Sequence, residues 1–231
     1  MNRNFPAFCA AMLAFALTIA TFGGIIVNKG KLAHADNPDV AVKTVYLTFD
    51  DGPSDRVTPK ILDVLAEEDV KATFFIIGIQ AETRKNLLKR IYREGHTLGV
   101  HSYTHRYNEI YSSPESLIED IDKCNKVIKS VTGRYSTAYR FPGGSFNLSE
   151  KLISAVSKHG MRYVDWNAST RDAEIINATP EQLLHASVTT AACTENVVLL
   201  AHDSTTKTAT ADALKDIIHH FKAEGYVFKT F

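Results

Sequence analysis

The sequence predicts an α/β protein: an incomplete, distorted (β/α) barrel of about seven parallel strands, preceded by an N-terminal apolar export or anchor helix. Three observations predict it. From Val40 onward, short runs rich in β-branched and aromatic residues alternate with longer helical stretches, the order expected when crossover helices join parallel strands. Ionisable residues gather where those short runs end, as they do around one mouth of such a barrel. Ahead of this pattern, Phe5 to Val27 is almost continuously apolar and carries no charge.

The apolar segment is long enough to cross a bilayer, which favours an anchor. Ala33-His34-Ala35 before Asp36 has the small-x-small form of a signal-peptidase site, which favours cleavage. Residues 1–35 are therefore read as a signal peptide or a membrane anchor, 36–43 as a tether and 44–231 as the catalytic domain. The strands expected are Val45 to Phe49, Ala72 to Ile77, Leu98 to Val100, Ala138 to Phe141, Arg162 to Trp166, Val197 to Ala201 and Tyr226 to Phe228. Helices fit Thr58 to Glu68, Ala81 to Glu94, Pro114 to Val131, Ser149 to His159, Pro180 to Ala192 and Ala209 to Glu224. Several begin at Ser, Thr or Pro and stop at Gly95, Gly133, Gly160 or Gly225.

With 231 residues, 45% hydrophobic and 23% charged, the chain can bury one sizeable core. Its formal net charge of zero provides no field for holding nucleic acid or an anionic membrane surface, and a neutral glycan fits better. Of the three cysteines, Cys9 lies in the apolar segment, and Cys124 and Cys193 could pair or stay free.

Asp50-Asp51-Gly52-Pro53 sets two carboxylates side by side at a strand end. Neighbours on an extended chain point to opposite sides, so one can face a metal while the other faces another edge of the same cavity. By itself the motif reads as a solvated turn. His101-Ser102-Tyr103-Thr104-His105 changes that reading, because a His pair four apart on one helical turn presents both imidazoles to one side. One carboxylate and two imidazoles make three ligands, which leaves a position for water or substrate, as catalytic zinc sites require. Arg140, before Phe141-Pro142-Gly143-Gly144, could hold a carboxylate by a bidentate pair, and His202 at the end of a buried strand could protonate a leaving amine. Each has a bland alternative, a surface Arg before a turn and a satisfied core His.

Taken together, Thr48 to Pro53, His101 to His105, Arg140 to Gly144 and Leu200 to His202 resemble, in order and spacing, motifs of the polysaccharide deacetylases, the fourth carbohydrate esterase family. The similarity covers roughly Thr44 to Phe231. It implies that Asp51, His101 and His105 bind the metal, that Asp50 is the general base paired with Arg140, and that His202 is the general acid. The aspartate that orients the acid would be Asp172, with Asp165 as the alternative. Gly143, Leu200 and Trp166 would contact substrate, Gly143 through its backbone N–H. Gly143 stands where the family motif has an aromatic residue and Ala173 where it has Trp, so a more open groove floor is expected.

The implied cofactor is one divalent ion, zinc first, with cobalt, nickel or manganese as alternatives. The expected partner is an N-acetylated cell-wall glycan, peptidoglycan N-acetylglucosamine ahead of N-acetylmuramic acid, chitin oligosaccharide or acetylxylan. No nucleic acid is expected, and the membrane is engaged only through the N-terminal segment of an extracytoplasmic monomer. Two other readings compete. An inert glycan-binding domain would lack the base or the acid, yet both are present, and phosphoryl hydrolysis would want more cations than Arg140.

Overall fold

The computed structural model describes residues 42–231. The apolar segment, the Ala35 cleavage site and most of the tether lie outside the described residues. Eight parallel strands form the sheet: β1 (Thr44–Asp50), β2 (Thr73–Ile77), β3 (Thr97–Ser102), β4 (Ala138–Tyr139), β5 (Arg162–Tyr163), β6 (Ala168–Ser169), β7 (Asn196–His202) and β8 (Val227–Phe228). Their order is β5-β4-β3-β2-β1-β7-β6, with β8 beside the start of β1. The helices are α1 (Thr58–Glu67), α2 (Gly78–Thr83), α3 (Lys85–Arg93), α4 (Tyr107–Ile110), α5 (Pro114–Thr132), α6 (Glu150–Lys158), α7 (Pro180–Thr190) and α8 (Thr208–Ala223). None of these is long and apolar enough to cross a membrane.

Sequence signals set several helix ends. Ser113 caps α5 by accepting from the Ser116 N–H at 3.1 Å with Pro114 in the first turn, and Gly133 ends it at φ 80°. Thr179 and Gln182 close a reciprocal capping box on α7. The single helix expected over Ala81 to Glu94 is instead two. Arg84 leaves the helical region at φ −124°, ψ 39°, and its guanidinium donates to Asp55 (2.9 Å) and to the Gln80 side chain (2.7 Å). The strand expected over Arg162 to Trp166 is cut short at Tyr163, and an unexpected strand follows it. After Tyr163 the chain leaves the ladder and rejoins on the far side of the sheet as β6.

Alternation along the strands sorts the interior into two faces. Val45, Leu47, Phe49, Phe74, Ile76, Leu98, Val100, Tyr139, Phe141, Val197, Leu199 and Ala201 turn outward into the main apolar cluster beneath the helices. The residues between them line the concave side: Thr48 and Asp50 of β1, Phe75 of β2, His101 of β3, Ala138 of β4, Leu200 and His202 of β7, and Arg140 just past β4. The barrel is polar at its mouth because Asp50, His101, Arg140 and His202 fall on this concave side at or just past the strand ends. Its outer strands β5 and β6 are not bonded to one another, and residues 164–167 bridge them. The Val164 N–H donates to Tyr139 (2.8 Å) on one side of that seam and the Asn167 N–H to Val198 (3.2 Å) on the other.

Phe74 stacks on Phe49 (centroids 5.1 Å apart) and meets the edge of His96 (5.5 Å) within the outward cluster. Phe74→Ala is expected to cost about 3–5 kcal/mol, the usual effect of emptying a buried aromatic site. Urea unfolding measures it, and a loss below about 1 kcal/mol would show that the layer between sheet and helices collapses freely around the gap.

Candidate active site

Five chain segments deliver side chains to the mouth. β1 ends at Asp50, and Asp51 follows in a left-handed conformation (φ 74°). The alternation expected across this pair therefore stops at Asp50, and the turned backbone lets both carboxylates approach His101. Asp51 Oδ1 lies 3.4 Å from His101 Nε2, and Asp50 Oδ2 lies 4.0 Å from the same nitrogen. His105 Nε2 is 3.3 Å from Asp51 Oδ1.

The two histidines do not share a helical turn. His101 belongs to β3 and points inward, whereas His105 follows a tight loop at φ 60°. Asp120 of α5 builds that loop. Its Oδ2 accepts from the Ser102 hydroxyl and the Tyr103 N–H, both at 2.7 Å, and its Oδ1 accepts from the Thr104 N–H at 3.1 Å and the Thr104 hydroxyl at 3.2 Å. Ser102 Oγ in turn accepts from the His105 N–H (2.8 Å). Sequence reasoning passed over Asp120, although a charged residue on the apolar face of a helix, between Leu117, Ile121 and Cys124, was the available signal.

His101 Nδ1–H donates to the Arg140 carbonyl at 2.9 Å, so in the neutral ring the Nε2 lone pair on the Asp51 side is free for a cation. Asp51 Oδ1 is buried and has no hydrogen-bond partner among the described residues. One oxygen and two imidazole nitrogens lie within 4.8 Å of one another there, a donor set that fits a divalent cation. Burial acts to raise the Asp51 pKa, but the nearby imidazole of His101, with those of His105 and His202, brings it down to about 2. For His101, burial opposes the cation while Asp50 and Asp51 outweigh it and raise the pKa. For His105, burial and the His101 charge lower it.

Arg140 is fully buried. It donates to Asp50 Oδ1 (3.0 Å), Thr48 Oγ1 (2.7 Å) and the carbonyls of Val164 (2.9 Å) and Asp165 (3.3 Å), and its guanidinium lies 4.3 Å from the Phe75 ring centroid and 5.7 Å from that of Trp166. The contact with Asp50 is through one nitrogen, where a two-pronged pair was expected, because the other donors are taken by the seam. Asp50 and His202 are direct neighbours across β1 and β7. His202 Nδ1–H donates to Asp172 Oδ1 (2.7 Å), while Asp172 Oδ2 accepts from the His202 N–H (2.9 Å) and from Thr210 (2.7 Å). Burial would depress the His202 pKa, but Asp172 overrides it and raises it to about 9. Asp165 is engaged elsewhere, accepting from the Ser145 N–H (3.0 Å) and hydroxyl.

Leu200 is buried in β7, and Trp166 is half-buried at the rim against Phe146. The space expected to stand open above Gly143 is occupied by Tyr107, which reading the sequence did not single out. Asp203, beside His202, tucks its carboxylate where a side chain at residue 52 would lie, accepts from Thr58 (2.6 Å), and is raised by burial to about 7. Cys124 and Cys193 are both free thiols, one buried and one exposed.

Comparison with known proteins bears on this geometry. The profile of a family described as polysaccharide deacetylase matches residues 37–164. A putative polysaccharide deacetylase of Bacillus subtilis, YheN, is 34% identical over 230 residues, covering 92% of this chain and 79% of the relative. The peptidoglycan-N-acetylmuramic acid deacetylase PdaA of the same organism is 32% identical, covering 81% and 70%. Among solved structures, the catalytic domain of a peptidoglycan N-acetylglucosamine deacetylase from Eubacterium rectale superposes with a TM-score of 0.76 at 35% identity, covering 82% of this chain and 88% of that one.

Because Asp120 alone gathers four donors of the 102–105 loop, Asp120→Ala is expected to weaken cobalt or zinc binding at the Asp51, His101 and His105 cluster by about 10–100-fold. Titration calorimetry on the folded variant reads this. Unchanged affinity would mean that the backbone holds His105 without the carboxylate.

Proposed function

The chain belongs to the polysaccharide deacetylase family, and from that premise we propose that it hydrolyses the acetamido group of cell-wall amino sugars, releasing acetate, with peptidoglycan N-acetylglucosamine as its substrate. The observation that carries the reading is that an Arg-held carboxylate and an Asp-held imidazole sit as neighbours across two strands, flanking a cluster of one aspartate and two histidines. N-acetylmuramic acid, chitin oligosaccharide and acetylxylan are the alternatives. An inert glycan-binding domain would have no need for both proton-transfer groups.

Asp51, His101 and His105 would hold one divalent ion, zinc by preference for this donor set. Bound there, the ion would supply Lewis-acid polarisation of the acetyl carbonyl and acidify a water. Asp50, with Oδ1 anchored by Arg140, keeps Oδ2 toward the cluster and would take the proton of the attacking water. The Gly143 N–H would donate to the oxyanion as the tetrahedral carbon forms. His202, kept protonated at neutral pH by Asp172, would pass its proton to the sugar nitrogen as the C–N bond breaks, leaving acetate and a free amine. Trp166 and Leu200 would border the sugar. We place this chemistry outside the cytoplasmic membrane, reached through residues 1–35 acting as signal or anchor, and in a monomer.

Metal content, variant kinetics and the pH profile test the mechanism. Elemental analysis is expected to find one divalent ion per chain, and exhaustive chelation to abolish acetate release. Full activity without metal would remove the ion from the reaction. Asp50→Asn and His202→Ala should each lower kcat about 10²–10⁴-fold while the ion stays bound. The alkaline limb of the pH profile should follow the His202 pKa, which Asp172 raises, because the acid is competent only while protonated. Asp172→Asn removes the anion that favours the imidazolium, so that limb must move to lower pH. A limb that stays in place would assign the acid to another group.

A further inference from the structure

The loops that leave β6 and β7 at the mouth end of the barrel enclose a cleft of about 500 Å³ beside the proposed acid. Residues 172–178 form one part of it and residues 206–210 another. Asp172 belongs to both the cleft and the acid, since its carboxylate accepts from His202 Nδ1–H at 2.7 Å. Ala173, next in the chain, lines the cleft with no more than a methyl group. Ile176 stands beside it 89% exposed, more than any other large apolar side chain among the described residues. A volume of this size suits a sugar substituent or a short peptide.

Lys207 gives the cleft its chemistry. The residue is half-buried, and its Nζ donates to the Asp172 carbonyl at 2.7 Å. That bond uses one of the three donors of an ammonium group. The two carboxylates of the 172–178 loop are engaged elsewhere, Asp172 with His202 (2.7 Å) and Glu174 with Arg171 (3.7 Å), and among the described residues none pairs with Lys207. A cation drawn partly out of water without a counter-ion favours an anion that can reach it. With Ile175 and Ile176 beside it, the complement of this cleft is a carboxylate carried on a short apolar stem.

We propose that this cleft binds the carboxylate-bearing substituent of the muramic acid residue next to the target sugar, and that Lys207 recognises its charge. The assignment rests on the peptidoglycan reading and narrows it, because chitin and acetylxylan chains offer no such anion. The lactyl ether of a muramic residue sets a methyl group and a carboxyl within a few bonds of the pyranose, the pairing that Ile175, Ile176 and Lys207 complement. The anion is the lactyl carboxylate itself, or the terminal carboxylate of an amino acid attached to it. Lys207 is thereby a specificity residue, which acts by discriminating between glycans and takes no part in the proton transfers.

The test uses the full chain carrying Asp50→Asn, so that calorimetry reads binding without turnover. Two ligands are tetrasaccharides of alternating N-acetylglucosamine and N-acetylmuramic acid, one with free lactyl carboxylates and one with a single L-alanine on each. The methyl ester of the first and the tetrasaccharide of N-acetylglucosamine are the neutral controls. Lys207→Gln keeps a donor for the Asp172 carbonyl and loses the charge. It should raise Kd about tenfold for at least one acidic ligand, the size of one charge-assisted hydrogen bond, and leave both controls within about twofold. The acidic ligand that responds identifies which carboxylate reaches the cleft. Lys207→Arg keeps the charge and should hold that Kd within about threefold. An equal change for all four ligands would reduce Lys207 to a brace for Asp172 and overturn the proposal. No change for any of them, or a Lys207→Arg variant as weak as Lys207→Gln, overturns it as well. Acetate release by the unmodified chain is measured in parallel. If it is present while Kd ignores the charge at residue 207, the cleft is refuted and the deacetylase reading stands; if it is absent while Kd follows that charge, the reverse holds.

Discussion

The Arg140 guanidinium is the interaction on which the rest of the site depends. A full positive charge with no solvent exposure is costly, and it survives only because every edge of the group is engaged. One nitrogen holds Asp50 and Thr48 of β1, two others hold carbonyls of the 164–167 seam, and Phe75 lies against its face. The same residue's carbonyl receives His101 Nδ1–H. One side chain and its own backbone thereby set the orientation of the proposed base, the tautomer of one proposed ligand and the closure of the barrel. Removing one partner from a buried pair of this kind commonly costs about 3–5 kcal/mol, so proton chemistry and folding share one element here.

Two strained residues lie beside that anchor. Asp51 and His105, which share no strand, both occupy left-handed backbone that non-glycine residues seldom adopt. The neighbourhood imposes it: Asp120 draws the 102–105 loop tight, and Asp203 fills the space behind Gly52. Convergence of three donor atoms is thus achieved by bending the chain at two residues of the cluster out of three, with only His101 on regular strand.

Much of this was legible in the sequence. Strand and helix alternation, the polar residues at strand ends, and the grouping of Asp50, Asp51, His101, His105, Arg140 and His202 followed from periodicity and motif spacing, because local patterns encode those features. What escaped was set by contacts between distant segments. The break at Arg84 needs Asp55, the loop geometry of His105 needs Asp120, and the choice between Asp172 and Asp165 needs the positions of Thr210 and Ser145. Tyr107 escaped for a different reason: an aromatic residue after a His-Arg pair announces nothing until the turn it stands on is known. A helical His pair and a strand-to-loop His pair share the same spacing, so spacing grouped His101 with His105 while misreading the element that carries them.

The seam across residues 164–167 has a further consequence. An incomplete barrel should present two unpaired strand edges, the kind of template on which a neighbouring chain can add a strand and begin to aggregate. Here the two outermost strands, β5 and β6, are each only two residues long and follow one another in the chain, so one edge runs into the other. A foreign strand would find a two-residue ladder on either side, interrupted by carbonyls of Val164 and Asp165 already bonded to Arg140. The gap in the barrel is in this way closed to edge-to-edge self-association while remaining free of ladder hydrogen bonds.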